Sequence, residues 1–156
     1  RVWYPEGCCE IERILAAFRD CHRDSLLYSL EAHPLTDHQM VRIGEVEVLA
    51  RRVEHWHSIR GRLLSPAPAL GYRITFRGET VAISGDTAPC PALVDLVRDA
   101  DLALIEATLG EDAPLDQRTH LHLTTKAARD LARLAHRAWF IHTPRPSAVD
   151  HFHAKA

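Results

Sequence analysis

Apolar and polar positions alternate along this chain in blocks that change period several times. Val2-Trp3-Tyr4, closed by Pro5-Glu6-Gly7, reads as a short strand ending in a turn. Between Cys9 and Arg19 the apolar residues Ile11, Ile14, Leu15 and Phe18 recur at helical spacing. Residues 24–33 fit neither period cleanly and are read as a strand. From Gly44 the alternation is plainer: Val46, Val48 and Ala50 interleave with Glu47 and Leu49, and the pattern runs on toward Val53 and His55. Residues 58–69, with Gly61, Pro66 and Pro68, read as a loop. A hairpin follows, Gly71 to Phe76 and Thr80 to Ile83, turning at Arg77-Gly78.

Beyond the hairpin the elements alternate between helix and strand. Pro91 to Arg98 reads as a short helix with Pro in its first turn, and Leu102-Ala-Leu-Ile as a strand buried on both faces. Residues 110–119 read as an acidic loop. Thr124 or Thr125 can cap a helix running through Ala127, Ala128, Leu131, Leu134 and Ala135. Ala138-Trp-Phe-Ile returns as a strand and stops at His142. The order from residue 72 onward is ββαβαβ, the signature of a layered α/β protein.

Composition changes this picture little. The chain has 156 residues, enough for one domain, with 46% hydrophobic and 26% charged residues. A formal charge of −2 and a pI near 6.6 give no global field for a polyanion, although Arg51, Arg52, Arg60, Arg62 and Arg73 could form a local basic strip. Four cysteines without a CxxC pair read as reduced thiols of a cytoplasmic protein. No apolar run is long enough to span a membrane, so no membrane partner is expected.

Chemistry gathers where strands end. Asp86 follows Val81-Ala-Ile-Ser-Gly, where its carboxylate could ligate a metal or cap the helix at Pro91. His142 follows the strand 138–141 in the same way. His55 and His57 flank Trp56, and period 2 would put both on one face as a metal pair or as packing residues. Glu106 adjoins so buried a run that it needs a partner, and an imidazole from His120 or His122 would be oriented by it for proton transfer. Asp and His are the ligand set expected of a hydrolytic site holding Zn²⁺, with Mn²⁺ or Fe²⁺ also suited.

Taken in order, these segments resemble the metallo-β-lactamase fold, in its ribonuclease Z-like branch. The segments are Trp3-Tyr-Pro-Glu-Gly7, Ala69-Leu-Gly-Tyr-Arg-Ile74, Ser84-Gly-Asp-Thr-Ala-Pro-Cys90, Ile105-Glu-Ala-Thr108, His122 to Ala128 and Phe140-Ile-His-Thr143. The resemblance implies an αββα sandwich, represented by its C-terminal part, as a single domain over 1–156. It implies Asp86, His142 and His55 as metal ligands, with His57 the alternative to His55. Glu106 and His122 would be the pair that assists proton transfer to the leaving group. From the basic strip, Arg60, Arg62 and Arg73 are expected to contact substrate. The activity implied is a metal-dependent phosphodiesterase acting on a tRNA precursor, working as a homodimer.

The family's HxHxDH motif occurs nowhere in the chain; His120-Leu-His122 and His151-Phe-His153 share only its HxH spacing. The domain is therefore expected to be incomplete at its N-terminus. The two-residue turn at Arg77-Gly78 leaves no room for the insertion that short-form tRNA-processing members can carry. A sibling hydrolase of cyclic nucleotides or sulfate esters, or a non-catalytic degenerate domain, stands as the alternative.

Overall fold

The computed structural model describes residues 1–143 and the backbone of 151–153. The elements, in chain order, are β1 (Val2–Pro5), α1 (Cys9–Cys21), β2 (Ala32–Leu35), β3 (Met40–Ile43), β4 (Val46–Arg52), β5 (Trp56–Ile59) and β6 (Arg62–Pro66). There follow β7 (Leu70–Phe76), β8 (Glu79–Ile83), α2 (Pro91–Val97), β9 (Leu102–Glu106), α3 (Leu115–His120), α4 (Thr125–Ala132), β10 (Arg137–Ile141) and β11 (His151–His153). Seven strands form the main sheet in the order β11-β10-β9-β8-β7-β4-β3. At its heart β8, β9 and β10 run parallel, so their C-terminal ends open at one edge.

The register explains which face is buried. Ala82, Ala103 and Ala138 lie side by side across β8, β9 and β10, all buried. This row of small side chains lets two helices sit close on the sheet, filling the gap with Leu93, Leu96 and Val97 of α2 and Ala128 and Ala132 of α4. The neighbouring positions Val81, Ile83, Leu102 and Leu104 point to the other face by period 2 and are only half-buried. On that face the parallel β1–β2 pair covers the β4–β7 end, where Leu35, Ala50 and Leu70 pack with Trp3, Val41 and Tyr72. Trp139 and Ile141 remain exposed there.

Local chemistry sets the connections. Arg77 and Gly78 both hold positive φ, at 50° and 87°, which closes the β7–β8 hairpin in two residues. Thr124 caps α4, its side chain accepting the Ala127 amide at 3.2 Å, and Glu111 accepts the Lys126 amide at 2.6 Å. No helix among the described residues is long and apolar enough to cross a membrane.

Four readings need correction. Residues 24–31 are turn and irregular backbone, with the Ser25 and Leu26 amides both returning to the His22 carbonyl, and the strand begins only at Ala32. The loop at 58–69 contains a hairpin, β5–β6, closed by Arg60 and Gly61 at φ 51° and 77°. That is the same Arg-Gly turn chemistry as at 77–78, shadowed here by the nearby prolines. The acidic loop contains α3, which starts after Pro114. Strand β4 ends at Arg52, so His55 and His57 do not share one strand face; His55 lies between strands and His57 lies on β5. The helical stripe on α1 exists, but it buries nothing: Ile14 and Phe18 are exposed.

Candidate metal centre and active site

The site is built at the C-terminal edge of β8, β9 and β10. After β8 the chain turns through Gly85, at φ 65°, where a Cβ would come within 2.9 Å of the Leu70 carbonyl oxygen. Only glycine fits both constraints. The turn is pinned on each side. The Ser84 hydroxyl accepts the Glu106 amide at 3.0 Å and donates to the Gly85 carbonyl at 2.8 Å, while the Ala88 amide donates to the Glu54 carbonyl at 2.6 Å. Asp86 is thereby carried outward, half-exposed, away from α2, whose N-cap is Cys90 without side-chain capping. The capping role is excluded, and the carboxylate meets His142 instead.

Across β9, His142 follows β10 with φ 51°, a left-handed conformation that costs a non-glycine residue free energy. Its Nδ1 lies 3.2 Å from Asp86 Oδ1 and 3.0 Å from the Thr108 hydroxyl. The Thr108 hydroxyl has two acceptors for its one proton, Glu106 Oε2 at 2.7 Å and the His142 carbonyl at 3.0 Å; the nearer, charged carboxylate is the stronger, and the Thr108 oxygen can then accept from His142 Nδ1.

Glu106 ends β9 with no solvent exposure. It accepts the Thr87 amide at 2.9 Å, the Thr108 amide at 3.1 Å, the Thr108 hydroxyl, and His122 Nδ1 at 2.9 Å. Burial alone would push this carboxyl up; the hydrogen bonds from His122, Thr87 and Thr108 outweigh it and hold the group below its ordinary value. His122 is shifted the opposite way. Its burial disfavours the charged ring, but the Glu106 bond and charge, with Asp86 nearby, raise its pKa.

Asp86, His122 and His142 each offer a ligand atom within 4.8 Å of one another, the one such group of His, Cys, Asp or Glu found among the described residues. His122, expected as the proton donor, thus also comes within reach of the two expected ligands. His55 stands beside this trio, its ring 5.2 Å from that of His122 and its Nδ1 held at 2.8 Å by the Leu121 carbonyl. In both His55 and His122, Nδ1 is engaged and Nε2 is left free, the arrangement of a metal-ligating or proton-transferring imidazole. His57 is exposed on β5 and stays out of the trio.

The arginines divide. Arg60 and Arg62 are exposed on the β5–β6 hairpin, whose tip meets Gln117 of α3. Arg73 donates instead to the Leu96 and Arg98 carbonyls, at 2.7 and 2.8 Å, and so finishes the C-terminal end of α2. Arg51 pairs with Asp37 and Asp95. Of the arginines expected to form a strip, Arg52, Arg60 and Arg62 stand exposed. Ser84, Thr87 and Thr108, to which the sequence pattern assigns no role, fix Glu106: Ser84 takes its backbone amide, while Thr87 and Thr108 donate to its carboxylate. Their position beside Asp86 and Glu106 is the signal in the sequence. His151 and His153 lie in β11, where side chains fall outside the described residues.

Residues 7–143 match the model of the beta-lactamase superfamily domain. The chain belongs to that superfamily; its fold is the metallo-β-lactamase fold, and in sequence it is similar to ribonuclease Z. The ribonuclease Z of Myxococcus xanthus is 40% identical over 78 residues, which are 50% of this chain and 24% of the relative. Among solved structures, the short form of human tRNase Z aligns with a TM-score of 0.66 at 20% identity, covering 90% of this chain and 59% of that one. The metallo-β-lactamase fold protein YhfI of Bacillus subtilis aligns at 0.68 and 16% identity, covering 94% and 53%. The match to the curated ribonuclease Z thus spans about a quarter of that relative's length. The fold implies a divalent metal, and the donor set at Asp86, His142, His122 and His55 suits one.

Proposed function

We propose that this chain carries the metal-assisted leaving-group half of a phosphodiesterase site, with the 3′ processing of tRNA precursors as its substrate reaction and a homodimer as its working form. The observation that carries this reading is the buried Glu106–His122 pair set beside Asp86 and His142. Asp86 and His142, with His55, would hold the metal, zinc first among the suited ions. When bound, the metal supplies Lewis-acid polarisation of the phosphoryl group and activation of water. Glu106 keeps His122 in the Nδ1–H tautomer, so that Nε2 faces the reacting centre. There the raised pKa favours a ring that can give a proton to the departing alkoxide. Thr108 couples His142 to the same carboxylate and fixes its orientation.

A second reading, hydrolysis of a small ester such as a cyclic nucleotide, is favoured by one specific observation. Strands β7 and β8 are joined by two residues only, which leaves no arm there to grip a large RNA. The deciding assay compares pre-tRNA, cyclic nucleotide and bis(p-nitrophenyl) phosphate, on this chain and on this chain joined to a segment carrying HxHxDH. Turnover in the joined form, lost in Asp86→Ala, is expected; preference among the three ranks the substrates. No turnover of any of them in the joined form would refute the hydrolase reading.

A further inference from the structure

A wall rises beside the site that the mechanism above does not use. It consists of the β5–β6 hairpin and α3, which touch where Gly61 meets Gln117. At its base the rings of Trp56 and His120 pack on each other, with centroids 4.7 Å apart and planes tilted by 42°. Trp56 Nε1 donates to Glu54 Oε1 at 2.7 Å, which fixes the indole in its plane. Trp56 adjoins His55 in the chain and His120 is two residues before His122, so each ring of the pair is tied by the chain to one of two imidazoles whose rings lie 5.2 Å apart.

Neither ring is buried in the core: Trp56 is half-buried and the His120 side chain is 38% exposed. The His120 Nδ1 is itself buried and makes no hydrogen bond among the described residues; it faces the Glu54 carboxylate at 3.6 Å, an ion-pair distance too long for a hydrogen bond. Further up the wall Arg60 and Arg62 stand exposed. Flat π surface at the level of the reacting centre, followed by guanidinium groups, is the combination that receives a nucleotide: the base stacks and the phosphates pair.

We infer that Trp56 and His120 form a stacking shelf for the nucleobase next to the scissile phosphate. The inference rests on the phosphodiesterase reading and adds to it the chemical class of the group beside the scissile bond. Such a shelf discriminates nucleotides from simple phosphate esters without reading base identity, since every base offers a π face.

The test is isothermal titration of the zinc-supplied chain with adenosine 5′-monophosphate and with ribose 5-phosphate, in which a C1 hydroxyl replaces the base. The nucleotide should bind at least about tenfold more tightly, the usual effect of one stacked base. In Trp56→Leu the ratio of the two affinities should fall to about one, and in Trp56→Phe it should stay near the natural value, because Phe keeps a stacking face. Circular dichroism checks that each variant is folded. His120→Leu, which leaves the Trp56–Glu54 bond in place, carries the test if Trp56→Leu does not fold, and should also lower the ratio. Equal affinities in the natural chain, or a ratio untouched by these substitutions, would overturn the shelf and leave the phosphodiesterase reading standing. Binding of neither ligand would overturn the shelf, and turnover in the joined form would then decide the phosphodiesterase reading by itself.

Discussion

Nδ1 of His122 lies 2.9 Å from Oε1 of a Glu106 that has no contact with solvent. A carboxylate in that position stays charged only because four donors converge on it. Glu106→Gln keeps the shape but turns an amide NH₂ toward groups that are themselves donors. Urea denaturation should show a loss of about 1–3 kcal/mol, the cost of leaving buried donors unmatched. The His122 ring should titrate at lower pH in this variant of the metal-free protein, as followed by its NMR resonance. An unchanged titration would mean that the pair is not formed in solution.

Asp86 and His142 should decide metal retention. Added zinc is expected to raise the melting temperature of the natural chain by mass action and to leave Asp86→Ala and His142→Ala where they were. After dialysis, metal analysis should find well below full occupancy of a two-metal site, because so few ligands converge. His122→Ala should retain the zinc-induced shift if its role is proton transfer; loss of the shift would make it a ligand.

The two glycine turns of the β7–β8 region should respond unequally to alanine. At Gly85 a Cβ meets the Leu70 carbonyl and the backbone is left-handed, so Gly85→Ala should cost about 1–3 kcal/mol or more. At Gly78 the backbone is left-handed too, but nothing lies within 4 Å of the added carbon. Gly78→Ala should cost only the conformational part, about 1–2 kcal/mol. Denaturant midpoints of the two variants measure the difference.

Acid should weaken the sheet through Asp101. Its carboxylate accepts the Thr80 amide at 2.7 Å and the Thr80 hydroxyl at 3.1 Å, and these bonds hold it below its ordinary value. A depressed folded-state pKa means stability that is present above the unfolded value and lost as pH falls through the folded one. Asp101→Asn should therefore lower stability at neutral pH and flatten its fall in acid. Parallel slopes for the two chains would remove Asp101 from the account of acid unfolding.

What could be read from sequence was whatever a single strand announces by itself. The strands ending at Ser84, Glu106 and His142 carry their period and their terminal polar residue together, so the edge of the sheet and its Asp86, Glu106 and His142 were legible. The β5–β6 hairpin was hidden because Pro66 and Pro68 look like loop residues, although the Arg60-Gly61 turn has the backbone signature seen at 77–78. Arg73 was assigned to substrate because charge near a site is visible in sequence, whereas the carbonyls of Leu96 and Arg98 that claim it belong to another element. The choice between His55 and His57 turns on where β4 stops, a boundary set by pairing with β7 rather than by local pattern.

The parallel order of β8, β9 and β10 also has a kinetic consequence. Hairpin strands meet early because their loops are short, but parallel neighbours must wait for a whole crossover to close. Asp86 and His142 belong to the two strands that flank β9, so they become neighbours only after both crossovers have formed. A chain that has built its hairpins but not this centre would show strand content without the ligand pair. Uptake of metal during refolding would then mark the last pairing event and distinguish finished molecules from compact, unfinished ones.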